Sequence, residues 1–270
     1  MKKQLIALDL DGTLLYDWQT LKDETKTYLM DLKSQGHSIV IATGRPYRSS
    51  IGHYETLQLD TPLINYNGGL ITWRNNPDFE EVNVTVDRDA VIEIFKHNEA
   101  YINNAFCEIR DDIYVMENTD EIQPLLHFFN GARLFTGKFE DTLPKNKGTN
   151  GFIIIANKNQ GQYIEAYVAK HYPNKLMTRN WGSDYEFIIE LYTPKTNKGV
   201  ALKHVAQTLG FEREDIIAFG DGHNDIEMLE YAGTGVAMNN AHEALLEVAD
   251  FHLKETNQEN GIEKFLKKYL

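Results

Sequence analysis

Four acids, a threonine and a lysine stand at spacings that suit one reaction. Asp9 and Asp11 lie two positions apart in "DLDGTLL" (9–15), directly after the apolar run "LIAL" (5–8). Charged side chains seldom close a buried strand without a task. Asp221 and Asp225 form a second acidic pair in "GDGHNDIEML" (220–229). Clustered carboxylates repel one another unless something neutralises them. Oxygen donors suit a hard divalent cation, and Mg²⁺ usually takes few carboxylates together with waters and phosphate oxygens. A metal alone leaves Thr43 and Lys198 unexplained. Thr43, in "ATGRP" (42–46), offers a hydroxyl beside a turn at Gly44 with free amides. Lys198 follows Thr196 and Asn197, either of which can cap a helix start. A lysine and helix-terminal amides suit a tetrahedral dianion. Metal, lysine, hydroxyl and a carboxylate nucleophile together describe phosphoryl transfer. There one Asp attacks and forms an aspartyl-phosphate. The other, pointing to the same side, moves the proton as general acid and base.

Such residues need strands to bring them together. "QLIALD" (4–9), "SIVIATG" (38–44) and "PLINYNG" (62–68) read as buried strands, with a helix over residues 23 to 35 that stops at Gly36. Continuous apolar strands joined by helices predict right-handed βαβ units and a parallel sheet. The pattern returns near the other end. "NKGVALKHVAQTLG" (197–210) is a helix whose apolar face is Ala201, Leu202, Val205, Ala206 and Leu209, with Gly210 as its stop. "DIIAFGDG" (215–222) is a strand ending in an acid, followed by a short helix, the short strand "GVAM" (235–238) and two further helices at 241–249 and 261–270. Parallel strands end at one edge, where ligands bind. Asp9, Asp11, Thr43 and Asp221 all lie just past such ends, and Asn65 and Asn67 near a fourth.

The middle differs. Short Tyr- and Phe-rich strands alternate with helices such as "RDAVIEIFKHNEA" (88–100) and "QYIEAYVAKHY" (162–172). This predicts an α+β module over 82–186, inserted into an α/β core made of 1–81 and 187–270.

Composition excludes several classes. The chain has 270 residues and a formal net charge of −13, so a nucleic-acid partner is not expected. Cys107 is the sole cysteine, which rules out an internal disulfide and fits a reducing compartment. The start "MKKQLIALDLDG" is basic and then apolar, but Asp9 and Asp11 interrupt it and no small-residue cleavage site follows. It reads as a first strand and not a signal peptide. No stretch approaches 18 uncharged apolar residues, so no membrane span is expected. The expected setting is the cytoplasm.

In order along the chain, "DLDGTLL", "ATGR", "TNKG" and "GDGHNDIEML" resemble the four motifs of the haloacid dehalogenase-like phosphohydrolase superfamily. The resemblance implies Asp9 as nucleophile, Asp11 as acid and base, Thr43 and Gly44 as phosphate-binding, and Lys198 as the lysine that stabilises phosphate and nucleophile. It implies Mg²⁺ held by Asp221 and Asp225, one carboxylate oxygen of Asp9 and the backbone carbonyl of Asp11, with Asn224 touching metal or phosphate. Asp9 and Thr43 are 34 residues apart, too few for a cap between them, whereas Thr43 and Lys198 are 155 apart. That spacing resembles the Cof-type group, whose cap follows the third core strand. The expected fold is therefore α/β, a Rossmann-like parallel-sheet core with an inserted α+β cap that sets substrate specificity. The expected substrates are small phosphate esters such as sugar phosphates, nucleotides, or a flavin or pyridoxal phosphate, handled by a monomer or homodimer.

Each signal alone also reads structurally. "DGT" occurs in many turns, "GDGHND" can be a loop capping a helix, Thr43 a turn hydroxyl and Lys198 a solvated helix start. Arg45 either reaches substrate or bridges core to cap. Arg179 and Trp181, in "RNWGSDYEF" (179–187), either contact the leaving group or pack in the cap. His223 reads as a loop residue. Two other functions stand beside the phosphatase. One is a phosphotransferase or mutase, which needs a second phosphate-binding cluster. The other is a phosphate-sensing regulator that has kept the fold.

Overall fold

A computed structural model describes residues 2–127, 131–181 and 187–270. Within them the chain forms β1 (Leu5–Leu8), α1 (Asp23–Ser34), β2 (Ser38–Ile41), α2 (Tyr47–Thr56), β3 (Leu63–Asn65) and β4 (Leu70–Thr72). There follow β5 (Val82–Asn83), α3 (Arg88–Asn98), β6 (Ile102–Ile109), β7 (Asp112–Val115), β8 (Leu134–Thr136), α4 (Phe139–Thr142), β9 (Gly151–Ala156), α5 (Gly161–His171), β10 (Met177–Asn180) and β11 (Ile188–Tyr192). The last stretch supplies α6 (Lys198–Leu209), β12 (Ile216–Gly220), α7 (Ile226–Tyr231), β13 (Thr234–Ala237), α8 (Glu243–Leu246), β14 (Phe251–His252) and α9 (Gly261–Tyr269). Two compact units result: Met1–Arg45 with Ser50–Val82 and Asn197–Leu270, and Pro46–Ser49 with Asn83–Thr196.

The first unit is built on a five-stranded sheet in the order β14-β13-β12-β1-β2, every pair parallel. β1 and β12 are buried at every position, as central strands covered on both faces must be. β3 joins β2 through a single parallel bridge, Ala42 to Ile64, and then turns back into β4. The apolar face of α6 (Ala201, Leu202, Val205, Ala206) packs on Leu5, Ala7, Val40, Ile64 and Ala218. Asn197, not Thr196, caps α6: its side chain accepts from the Val200 amide at 2.8 Å. Gly210 ends the helix at φ 75°, a left-handed conformation that glycine adopts without strain. Gly199 is required for another reason. A Cβ there would lie 2.2 Å from the Glu227 carbonyl, so α6 meets the start of α7 backbone to backbone.

The second unit is a six-stranded sheet in the order β10-β11-β9-β6-β7-β8, antiparallel except for β7 with β8. Alternate residues face opposite sides. Cys107, Phe152, Ile154 and Ile189 pack with Val91 and Ile94 of α3 and Ile164 and Val168 of α5. Phe106, Ile153, Ile155 and Ile188 pack on the other side with Ile122 and Leu126. Cys107 is thus a core residue. β11 pairs along its length with β9 and β10, so residues 188–192 belong with the inserted strands, and the return to the first unit comes at Asn197 instead of 187. The apolar run "IIELY" carries no sign of which sheet it will join. Pro46–Ser49 also group with the second unit, where Arg48 pairs with Glu108 and its amide donates to Asp111. Among the described residues no helix is long and apolar enough to cross a membrane.

Candidate active site

The parallel register of the first unit decides what meets. β1 sits between β12 and β2, so the residues just past their ends lie side by side: Asp9 after β1, Asp221 after β12, and Thr43 two residues beyond β2. Asp9 opens a wide turn in which the Leu14 amide donates to the Asp9 carbonyl at 3.2 Å and Leu15 to Leu10 at 2.9 Å. Gly12 stands inside that turn at φ 75°, and a Cβ on it would strike the Asp221 carboxylate at 2.2 Å. Both the conformation and the close approach demand glycine.

Lys198, fully buried at the start of α6, bridges two acids. Its Nζ donates to Asp9 Oδ1 and to Asp225 Oδ1, both at 2.6 Å. Asp225 Oδ2 accepts from the amides of Asp221 at 3.1 Å and Gly222 at 2.9 Å. Asp221 Oδ1 accepts from the Thr13 hydroxyl at 2.6 Å. Carboxylate oxygens of Asp9, Asp221 and Asp225 all lie within 4.8 Å of one another. One lysine does not balance three acids. Burial holds the Asp9 carboxyl well above the usual carboxylate range, with Asp225, Asp221 and Asp11 adding repulsion against the pull of Lys198. Burial, followed by Asp225, pushes Asp221 up to about 7. Burial works against the charge on Lys198, but Asp225 and Asp9 outweigh it and raise its pKa above the ordinary value.

Thr43 is completely buried. Its hydroxyl accepts from the Arg45 amide at 3.1 Å, and its carbonyl accepts from the Asn67 amide at 3.0 Å. Asn67 holds φ at 53° and accepts from Asn224 Nδ2 at 2.8 Å. A Cβ on Gly44 would lie 3.2 Å from Asn67 Oδ1, so the two loops are in contact. Asp11 is turned toward Arg45, whose Nε donates to Oδ2 at 2.8 Å and whose Nη2 donates to Oδ1.

The pattern of the haloacid dehalogenase-like hydrolases matches residues 6–266. The chain belongs to that family. Among curated relatives, 5-amino-6-(5-phospho-D-ribitylamino)uracil phosphatase YitU of Bacillus subtilis is 34% identical over 99% of this chain and 98% of its own. Pyridoxal phosphate phosphatase YbhA of Escherichia coli is 28% identical over 100% of each. A haloacid dehalogenase-like hydrolase from Bacteroides thetaiotaomicron superposes with a TM-score of 0.83 at 25% identity over 100% of both chains. This hydrolase is a phosphatase of the Cof type, acting on phosphoric monoesters.

In this hydrolase the described structure brings Asp9, Lys198, Asp221 and Asp225 into one cluster, and links Thr43 to Asn224 through Asn67. Three contacts at the site had no partner assigned from sequence. Asn67 joins the Thr43 loop to the Asn224 loop; the "NYNGG" run around it marks a left-handed turn but not its partner. Thr13 orients Asp221 from within the first motif. Asn240 donates to the Gly12 carbonyl at 2.8 Å from 228 residues away, and no local signal announces it. Arg179 lies on β10 of the second unit, 3.9 Å from Glu190 and over the Tyr192 ring at 4.7 Å. Trp181 follows β10 with its amide on the Ile188 carbonyl at 3.2 Å, and residues 182–186 of the same stretch lie outside the described residues. His223 is exposed but opens a single 3₁₀ turn (His223–Asp225) instead of lying in a loop, edge-on to His242 with 5.8 Å between ring centroids.

The donor set is all oxygen, repulsive, and under-compensated by Lys198, which fits a hard divalent cation. This has a pH consequence. Between about 4 and about 7 the folded hydrolase keeps a proton on Asp221 that the unfolded chain has already released. Stability of the metal-free form is therefore present at low pH and lost as pH rises through about 7. In EDTA the melting temperature is expected to fall by several degrees between about pH 5 and about pH 8, each 1 kcal/mol being worth about 2–4 °C. A divalent cation competes with that proton, so its affinity should climb by up to about tenfold per pH unit as pH rises toward about 7 and level off above it. Melting temperatures that rise with pH in EDTA would contradict this charge balance.

Proposed function

We propose that the chain hydrolyses small phosphomonoesters through an aspartyl-phosphate at Asp9, with Mg²⁺ as its cation. The observation that carries this reading is Lys198 Nζ set 2.6 Å from both Asp9 and Asp225 in a site with no exposed lysine surface. A merely solvated lysine would not be buried between two acids. Asp9 attacks phosphorus, the bond to the leaving oxygen breaks, and Asp11 gives that oxygen its proton. Water then attacks the phosphorus of the aspartyl-phosphate while Asp11 takes the proton back, and Asp9 is released with inorganic phosphate. Thr43, the amides at Gly44, Lys198 and Asn224 hold the phosphoryl oxygens. Asp9, Asp221, Asp225 and the Asp11 carbonyl would hold Mg²⁺, which would supply positive charge beside the transferring group.

The inserted unit sets which ester is taken. It contains a cavity of about 1250 Å³ whose described walls carry several carboxamides, among them Asn104 and Asn157, the carboxylates Glu117, Glu121 and Glu165, and Lys158 as the one basic residue. Carboxamides suit a hydrogen-bonding group, and walls with three carboxylates against a single lysine are a poor second phosphate site, which speaks for hydrolysis over mutase chemistry. The substrate favoured by the YitU relationship is 5-amino-6-(5-phospho-D-ribitylamino)uracil. The test is phosphate release from that ester, pyridoxal phosphate and a panel of sugar phosphates and nucleotides, with Mg²⁺ and with EDTA. The expected result is Mg²⁺-dependent release, with kcat/KM for the ribitylaminouracil phosphate about tenfold or more above the rest, a discrimination that unpaired polar contacts readily supply. No release from any ester with Mg²⁺ would overturn the hydrolytic reading. Equal release from all would overturn the choice of substrate.

A further inference from the structure

Asp11 is the acid that the structure treats differently. The carboxylates that crowd within 4.8 Å are Asp9, Asp221 and Asp225, and Asp11, only two residues from Asp9, is not among them. Arg45 accounts for the difference. Its guanidinium grips both Asp11 oxygens in a fork, Nε to Oδ2 at 2.8 Å and Nη2 to Oδ1. The Arg45 side chain is 6% exposed and that of Asp11 33%. A planar fork fixes the plane of a carboxylate as well as its distance, which a lysine cannot do.

The fork is itself braced. Nη2 also donates to the Trp18 carbonyl at 2.6 Å. That carbonyl sits in a tied loop: Asp17 Oδ1 accepts from the amides of Gln19 at 2.8 Å and Thr20 at 2.7 Å, and the Tyr16 amide donates to the Thr20 carbonyl at 2.8 Å. Asn257 holds the base of the loop, donating to the Leu15 carbonyl at 2.7 Å. At its other end Arg45 is anchored to the phosphate-loop backbone. Its amide donates to the Thr43 hydroxyl, and its carbonyl accepts from the Tyr66 amide at 3.2 Å and from Asn65 Nδ2 at 2.9 Å. One residue therefore fixes the position of Asp11 relative to the loop that carries Thr43.

We propose that Arg45 is a positioning residue for Asp11, holding its carboxyl clear of the Asp9 cluster and aimed for proton delivery to the leaving oxygen. The inference rests on the reading of Asp11 as acid and base. In the first half-reaction the Asp9 oxygen bonds to phosphorus, the bond from phosphorus to the leaving oxygen breaks, and the Asp11 proton moves to that oxygen. For this transfer one of the two N–H···O bonds of the fork opens while the other keeps the carboxyl in place. An alkoxide leaving group needs the proton. A p-nitrophenolate does not.

The test compares first-turnover rates on an alkyl phosphate, glycerol phosphate, and on p-nitrophenyl phosphate for the parent, Arg45→Gln, Arg45→Lys, Arg45→Ala, Asp11→Asn and the Asp11→Asn/Arg45→Gln double variant. Arg45→Gln is expected to lose about 10²-fold on the alkyl ester, the range in which a placed general acid acts, and far less on the nitrophenyl ester, with KM changed little. The double variant should be no slower than Asp11→Asn alone, since both changes remove one function. Arg45→Lys, which keeps the charge without the fork, should fall between, and guanidinium added to Arg45→Ala should restore part of the alkyl-ester rate. Equal losses on both esters, or losses that multiply in the double variant, would mean that Arg45 acts on the phosphate or the fold and would overturn the proposal. A parent protein that releases phosphate from neither ester, or an Asp9→Asn variant that releases it from both, refutes the underlying phosphatase mechanism instead, and that outcome is distinct from any pattern confined to Arg45.

Discussion

Asp9→Asn is expected to lower kcat by at least about 10⁴-fold and to leave the chain folded. An amide has nearly the shape of the carboxylate but cannot form the aspartyl-phosphate, and loss of a nucleophile usually costs at least this much. Folding should not suffer, because the position is electrostatically strained. Asp9 is 5% exposed, and its carboxyl is pushed up by burial and by three neighbouring acids. Replacing it removes one buried charge from an acidic surplus, so metal-free stability should hold or rise. The paired measurement is phosphate release and a urea unfolding midpoint in EDTA. Turnover well above background in the variant would sink the covalent mechanism. A large fall in the midpoint would show instead that the Asp9–Lys198 pair stabilises the fold more than the crowding destabilises it.

Lys198→Met should damage both activity and stability. The ammonium is completely buried, with Asp9 and Asp225 each at 2.6 Å. Removing one partner of a buried ion pair leaves the others uncompensated, at a cost of about 3–5 kcal/mol. Methionine fills the volume of the stem, so the loss reports charge and not a cavity. Lys198 is held above its ordinary pKa, so it stays charged through the neutral range and its contribution is lost only in strong alkali. The damage should therefore be largest near pH 8 in EDTA. It should shrink as acid protonates Asp9 and Asp221, or as Mg²⁺ supplies the missing positive charge. kcat is expected to fall by about 10²–10³-fold or more, the usual loss for a charge-stabilising donor at a phosphoryl or oxyanion site. A variant as stable as its parent at pH 8 in EDTA would contradict the reading of Lys198 as the counter-charge of the cluster.

Much of this site was legible because its determinants are local. An apolar run such as Leu5–Leu8 or Ile216–Gly220 must be a strand buried on both faces, and an acid directly after it must stand at the sheet edge. Gly12 announces a left-handed turn, and Gly210 the end of a helix. The order of the four motifs, and the long gap before Lys198, disclosed an inserted unit without any knowledge of its shape. What remained open was every matter of partnership. Thr196 and Asn197 were equal candidates for the cap of α6, and only the backbone conformation chose Asn197. "IIELY" reads as a strand wherever it occurs, but its hydrogen bonds to β9 and β10 place it in the second unit. Arg45 offered two destinations in sequence, and the fold turned it onto Asp11. Asn67 and Asn240 act across 157 and 228 residues of chain. Strand identity, turns and caps follow from the residues within a few positions of one another, so the sequence by itself determined the elements, the sheet edge and which side chains stand at that edge. Which carboxylates crowd together, which one is drawn aside, and which polar groups link the loops depend on strand order and register, and these exist only once the distant segments have packed.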